Sequence, residues 1–317
     1  MKKALAIALT ILMVLLLSAA VRGEALKKNI VPADASWVVH VNVEQLLGSR
    51  FFTHMMGAAE WAEVESKNAQ FAKKFKINLL KDIQALTVYG KGNDEESAVA
   101  CIAGRFDKDH LLDLLGMSDE HKEIAYGNYT MHNWDGDEYG AFVGNNLVLI
   151  TKTEAGLKHA LDVISGKADN ITGSAAGDII ARTPSDSMLT AVARNISELL
   201  DREKDEHSAI LKKAQAAMLH LSEREDDMVM GAEVAASSAK DADNIEQMLK
   251  GLLAMLDLYR DDLPSGIDIP EDIKISRAGN SVRVELSYPA EKLIKLIAEK
   301  GRFPFRFIAG VFSPFLP

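Results

Sequence analysis

The chain has 317 residues, a formal net charge of −10 and a single cysteine. This acidity excludes nucleic-acid binding as the expected role, because contacts to phosphates need clustered Lys and Arg. It also disfavours an anionic membrane surface as partner, and one thiol cannot form an internal disulfide. Stability must therefore come from a hydrophobic core, which a chain of this length can readily form.

The N-terminus has the layout of a secretory signal peptide. Lys2 and Lys3 precede the uncharged apolar run Ala4–Leu17, which is short for a membrane span of about 20 residues. Small residues lie before two candidate cleavage points, after Ala20 or after Ala25. We therefore expect residues 1–25 to be removed and the protein to be exported from a bacterial cell, to the periplasm or beyond, without a stable transmembrane span. An uncleaved N-terminal anchor is the alternative.

The first folded segment, "VPADASWVVHVNVEQLL" (31–47), has a counterpart in "TPSDSMLTAVARNISELL" (183–200). Each begins with a proline-containing turn and continues into an alternating strand, in which one face is apolar. When Pro32 is aligned with Pro184, His40 and Asn42 correspond to Val192 and Arg194. The segment therefore indicates scaffold that is used twice rather than a functional signature.

Two further pairs of segments follow in the same order. Residues 86–115 and 217–249 both predict a strand, an acidic turn, a strand and a helix, with Asp107 and Ser238 as helix N-caps. Residues 144–164 and 279–297 both predict a turn, a strand and a helix. The three pairs predict an internal duplication; the alternative is that this order of elements simply recurs in α+β chains.

These patterns predict the fold class and the domains. We expect an α+β protein of two related halves, each made largely of antiparallel strands with helices packed on one face. The predicted boundaries are a signal peptide at 1–25, a first half at 26–180, a second half at 181–301 and a Phe-rich tail at 302–317.

Three phrases carry a family resemblance: "VPADASWVVHVNVEQL" (31–46), "DIQALTVYG" (82–90) and "IKISRAGNSVRVELSYPAEKLI" (273–294). They resemble uncharacterised exported proteins common in Planctomycetes and related bacteria. The resemblance covers most of the mature chain and implies export and this fold. It implies no activity and no site residue.

Histidine and acidic residues suggest two metal sites, neither of which we assign. "DGDEYG" (135–140) matches the start of a calcium-binding loop, but Asn146 stands where such a loop needs a bidentate Glu, so we expect a hairpin. The eight histidines show no ligand spacing. His121 and His132 could nevertheless meet across the hairpin, together with Asp135, as a metal site.

Two other motifs are weak. Ser237 and Lys240 form a Ser-x-x-Lys pattern without the companion motifs of penicillin-recognising enzymes, and capping explains the serines. Gly90 and Gly92 follow a strand, but the acidic residues after them would repel a pyrophosphate, so we expect a hairpin turn. Cys101 lies in an apolar run and is expected to be a buried core residue.

The tail 302–317 carries five of the chain's 11 Phe. It predicts either a docking segment for an envelope partner or a segment packed on the protein's own core.

The sequence therefore predicts an exported cell-envelope protein, most simply a non-enzymatic binding or structural module. The alternative is a hydrolase of unfamiliar type, with its site in a groove between the halves. No catalytic, cofactor-binding or metal-ligating residue is assigned, no cofactor is expected, and the partner is an unknown envelope protein or ligand.

Overall fold

The protein is described from a computed structural model that covers residues 24–194, 213–258 and 273–300, except residues 93 and 135. Residues 1–23 of the expected signal peptide lie outside the described residues. So do Leu199 and Leu200 of the second repeat segment and the whole Phe-rich tail. Within the described residues, no helix combines the length and the hydropathy needed to cross a membrane.

Twelve strands of the described residues form one antiparallel sheet. They are β1 (Trp37–Asn42), β2 (Ile83–Gly90), β3 (Val99–Gly104), β4 (Lys122–Tyr126), β5 (Tyr129–Asn133), β6 (Tyr139–Val143), β7 (Leu147–Thr151), β8 (Ser187–Arg194), β9 (Ala214–Arg224), β10 (Asp227–Ala236), β11 (Lys274–Ala278) and β12 (Ser281–Pro289). Their order in the sheet is β11-β12-β10-β9-β8-β1-β2-β3-β7-β6-β5-β4.

Eight α-helices of the described residues pack on this sheet. They are α1 (Val43–Gly48), α2 (Arg50–Met55), α3 (Ala58–Phe75), α4 (Lys108–Leu115), α5 (Glu154–Ile164), α6 (Ala175–Ile180), α7 (Ala239–Leu258) and α8 (Ala290–Lys300). The predicted N-caps are confirmed: the side chain of Asp107 accepts a hydrogen bond from the His110 amide, and that of Ser238 accepts one from the Asp241 amide.

The α+β class is confirmed, but helices pack against parts of both faces of the sheet rather than against one face as predicted. Val38 points to the face covered by α5 and α6, which we call the front face, and it packs there with Leu149 and Leu161. Val41 points to the opposite, back face and packs with Ile102. Because strands such as β1 and β3 carry apolar side chains on both faces, a single layer of helices would leave one face bare.

The two predicted halves share the sheet and are not separated by a groove at their junction. Strands β1 and β8 are hydrogen-bonded neighbours at its centre, with Val39 opposite Ala191. Outward from that pair, the order β1-β2-β3-β7-β6 on one side corresponds to β8-β9-β10-β12-β11 on the other. Helix α5 lies on the front face, however, whereas α8 packs on the back face beside α2. The duplication therefore remains a prediction, to be tested by superposition.

Candidate functional site

An apolar stripe crosses the back face of the sheet. One residue from each of nine neighbouring strands forms a single transverse row, and each is paired in register with the next. In spatial order the nine residues are Ile150, Ala100, Val88, Val39, Ala191, Leu219, Ala232, Val284 and Ile275. All nine are half-buried or exposed, and the Leu219 side chain is 62% exposed.

The size and the borders of the stripe suit an elongated ligand. Eight gaps between strands, at about 4.8 Å each, make the row roughly 38 Å long. Helices α2 and α8 border one side, where Phe51 and Ile294 pack over Leu221. Helix α7 packs against Ile275 at one end. Beside the row, Leu189 is 37% exposed and extends the apolar surface. A continuous apolar row without charges is typical of an interaction surface.

The front face carries a buried polar row instead. His40 is 4% exposed, and its Nδ1 lies 2.8 Å from the Thr87 hydroxyl while its Nε2 lies 2.9 Å from the Glu24 carbonyl oxygen. Burial lowers the pKa of His40 to about 4, so its ring is neutral at pH 7. A cavity of about 180 Å³ lies beside His40 and Thr87 and is also lined by Ala25 and Lys27 of the N-terminal segment.

The polar row continues through Thr190 to His220 on β8 and β9. Both residues are buried, and within the described residues neither ring nitrogen of His220 has a hydrogen-bond partner. Burial lowers the pKa of His220 below its ordinary value. Its ring lies over Gly231 of β10, where a β-carbon would overlap it. This close approach explains a glycine in the middle of a strand.

A buried carboxylate lies farther along the front face. Glu233 is 2% exposed and accepts hydrogen bonds from the guanidinium groups of Arg182 and Arg283. Burial alone would raise the pKa of Glu233, but the two arginines outweigh it and hold the pKa below its ordinary value. The cluster links β12 and the segment after α6 to β10. One carboxylate accepts hydrogen bonds from both arginines, so we interpret the cluster as structural.

The sequence anticipated one side-chain cluster only in part. His121 and His132 do meet, with 3.0 Å between His121 Nε2 and His132 Nδ1. Asp135, their expected third partner, lies outside the described residues. Glu123 takes that place, because its side chain and the two imidazoles bring one ligand atom each within 4.8 Å of one another. Sequence reasoning missed Glu123, although the two-residue turn after Tyr126 would have placed it opposite His132.

The other candidate motifs have structural roles. Cys101 is 1% exposed, as expected of a core residue, and burial raises the pKa of its thiol to about 12. Ser237 donates a hydrogen bond to the Lys213 carbonyl oxygen and Ser238 caps α7. Gly90 ends β2, whose antiparallel partner is β3, so the segment after it is a hairpin connection.

Comparisons with known proteins give a weak structural likeness. No protein family matches the chain, and no curated protein matches it either. The chain is similar to the solved structure titled "Structure of crystal form III of TP0453", with 10% identity and a TM-score of 0.45 over 87% of this chain and 99% of that one. For "Structure of crystal form I of TP0453" the identity is 12% and the TM-score 0.45, over 87% of this chain and 98% of the other.

Proposed function

We propose that the protein is an exported, non-enzymatic binding module of the bacterial cell envelope, and that the apolar stripe is its binding surface. The observation that supports this role is the uninterrupted row of nine apolar side chains, none of which is fully buried by the described residues and of which Leu219 is the most exposed. The rival role is a hydrolase with its site in a groove between the halves, and the direct pairing of β1 with β8 at that junction favours the binding role.

The partner that fits this surface is an amphipathic helix of another envelope protein. A row of roughly 38 Å matches about 25 helical residues at 1.5 Å each. The nine side chains of the row carry no charge, so the partner's contacting face is apolar. The chain's net charge of −10 repels an acidic segment, so the helix has neutral or basic flanks.

Export is supported by the layout of residues 1–25 and is tested by the mass of the secreted product. The Glu24 carbonyl oxygen is bound by His40 and the Glu24 side chain pairs with Lys27, so cleavage after Ala20 keeps both contacts whereas cleavage after Ala25 removes them. We therefore expect a mature protein that begins at Val21. A protein that stays in the cytoplasm with residues 1–25 attached would contradict export.

Binding is tested by gel filtration of a mild envelope extract. The wild-type chain is expected to elute in a complex larger than the purified chain. A variant with Leu189→Glu and Leu219→Glu is expected to elute as the purified chain does. The control is Met117→Glu, which charges a side chain that is 78% exposed but lies outside the stripe, and it should keep the complex. Wild type that elutes alone or as a homodimer would contradict the proposal.

A further inference from the structure

A second cluster of functional side chains lies at the far edge of the sheet, away from the stripe. Strand β4 is the outermost strand, and β5 pairs with it. His121 immediately precedes β4, Glu123 lies on β4 and His132 lies on β5. The arrangement does not depend on the proposed function, because it shares no residue with the apolar stripe.

The local sequence accounts for this convergence. Gly127 has a φ of 58°, which a two-residue hairpin loop between Tyr126 and Tyr129 requires. That loop fixes the register, so that Glu123 lies directly opposite His132. His121 is two residues before Glu123 and therefore projects from the same face of the hairpin.

The geometry of the two imidazoles is close. His121 Nε2 and His132 Nδ1 are 3.0 Å apart, and the two ring planes are inclined by 17° with their centroids 5.3 Å apart. His132 Nδ1 lies 3.9 Å from Glu123 Oε1. One ligand atom from each of the three side chains therefore lies within 4.8 Å of the others, and the Glu123 side chain is exposed to solvent.

His132 is the most deeply buried residue of the three. The residue is 3% exposed. Its ring and the Phe142 ring meet nearly at right angles, with their centroids 6.5 Å apart. A neutral imidazole offers a free nitrogen lone pair.

We propose that His121, Glu123 and His132 bind one divalent transition-metal ion of the zinc class. Two imidazoles and a carboxylate are ligands that zinc accepts, and they recur as a three-ligand set in zinc sites with an open position. Zinc–nitrogen bonds of about 2.0–2.1 Å place tetrahedral ligand atoms roughly 3.3 Å apart. The two nitrogens are already near that spacing, and rotation of the exposed Glu123 side chain brings in the third ligand.

A bound ion has two consequences. The ion cross-links β4 and β5 to the loop after α4. It thereby fastens β4, which is the edge strand of the sheet formed by the described residues. Three protein ligands also leave a coordination position for water or for a donor from another molecule on the Glu123 side.

The test is a metal titration of the tag-free full chain after removal of bound metal with a chelator. Isothermal titration with Zn²⁺ is expected to give one site per chain, and Co²⁺ should give the intense visible absorption of a tetrahedral site. His121→Ala should weaken Zn²⁺ binding by 100-fold or more, and Glu123→Gln by about 10-fold. Circular dichroism checks that each variant is folded. We expect Glu123→Gln to fold normally, because the Glu123 side chain is exposed.

The matched control is His54→Ala, since His54 is an exposed histidine on α2, remote from β4 in the sequence and bonded only to the Arg50 carbonyl oxygen in its own helix. It should bind Zn²⁺ as tightly as wild type. The proposal is overturned if wild type takes up no stoichiometric Zn²⁺, which would leave the two histidines as a hydrogen-bonded pair. It is equally overturned if folded His121→Ala and Glu123→Gln variants bind Zn²⁺ as wild type does.

Discussion

Arg283 and Glu233 are direct cross-strand neighbours, and Arg283 Nη2 lies 2.7 Å from Glu233 Oε2 on the front face. Arg182 reaches the other carboxylate oxygen from the segment after α6. The carboxylate is almost fully buried, whereas the arginines remain partly exposed. An acid in this position is tolerated because both of its oxygens accept charged hydrogen bonds.

Glu233→Gln is expected to lower the free energy of unfolding by about 1–3 kcal/mol, since the two arginines lose a charged acceptor in a buried position. Because the folded-state pKa of Glu233 lies below its ordinary value of 4.5, its contribution is present at neutral pH and is lost as the pH falls through the folded-state pKa. Urea unfolding at pH 7 and at acid pH measures both effects. Glu63→Gln, which removes an exposed helical pair with Lys67, should cost less; an equal loss would contradict a special role for Glu233.

His40 makes stability depend on pH in a second window. Its folded-state pKa of about 4 lies below its unfolded value of 6.5, so the unfolded chain binds more protons between these values. The contribution of His40 to the free energy of unfolding is therefore fully present above about pH 6.5. It falls with decreasing pH, by about 2 kcal/mol between pH 7 and pH 5. The buried His132 and His220, whose pKa values are also lowered, act in the same direction.

The measurement for this prediction is urea unfolding at several pH values for wild type and for His40→Gln. The variant loses hydrogen bonds and is less stable at pH 7, but its stability should change less between pH 7 and pH 5. His54→Gln, at an exposed site, should keep the wild-type slope. An unchanged slope in His40→Gln would show that His40 is not the titrating group.

Gly231→Ala is expected to destabilise the protein by about 1–3 kcal/mol, because the new methyl group overlaps the buried His220 ring. Gly251→Ala is the matched control, since Gly251 lies in α7 with open space around it. Alanine there should stabilise the helix by up to about 1 kcal/mol. Thermal unfolding compares the two variants, and equal or opposite shifts would refute the packing of His220 over Gly231.

Local patterns in the sequence were sufficient for much of the fold. The predicted hairpin turns at Gly144 and Gly279 have φ values of 64° and 61°, as such turns require. The predicted caps Asp107 and Ser238 begin α4 and α7. These features depend on residues a few positions apart, and short-range chemistry determines them.

What could not be predicted depends on long-range register. The stripe exists only because Val39 lies opposite Ala191, and Ala191 opposite Leu219, in strands far apart along the chain. Arg182 and Glu233 are likewise 51 residues apart. The sequence predicted that His121 and His132 meet, but across the hairpin that turns at residues 135–136. In the structure the β4–β5 hairpin brings them together, and its register also places Glu123 opposite His132.

The most direct test of the binding role is a photo-crosslink from the stripe in producing cells. A photoreactive phenylalanine derivative replaces Leu219 in one strain and Met117, outside the stripe, in a control strain. We expect Leu219 to crosslink to an apolar, non-acidic helical segment of one envelope protein, and Leu189→Glu to abolish that product. Crosslinks from Leu219 only to this chain's own residues 195–212 or 302–317, only to a second copy, or to no protein would contradict the account.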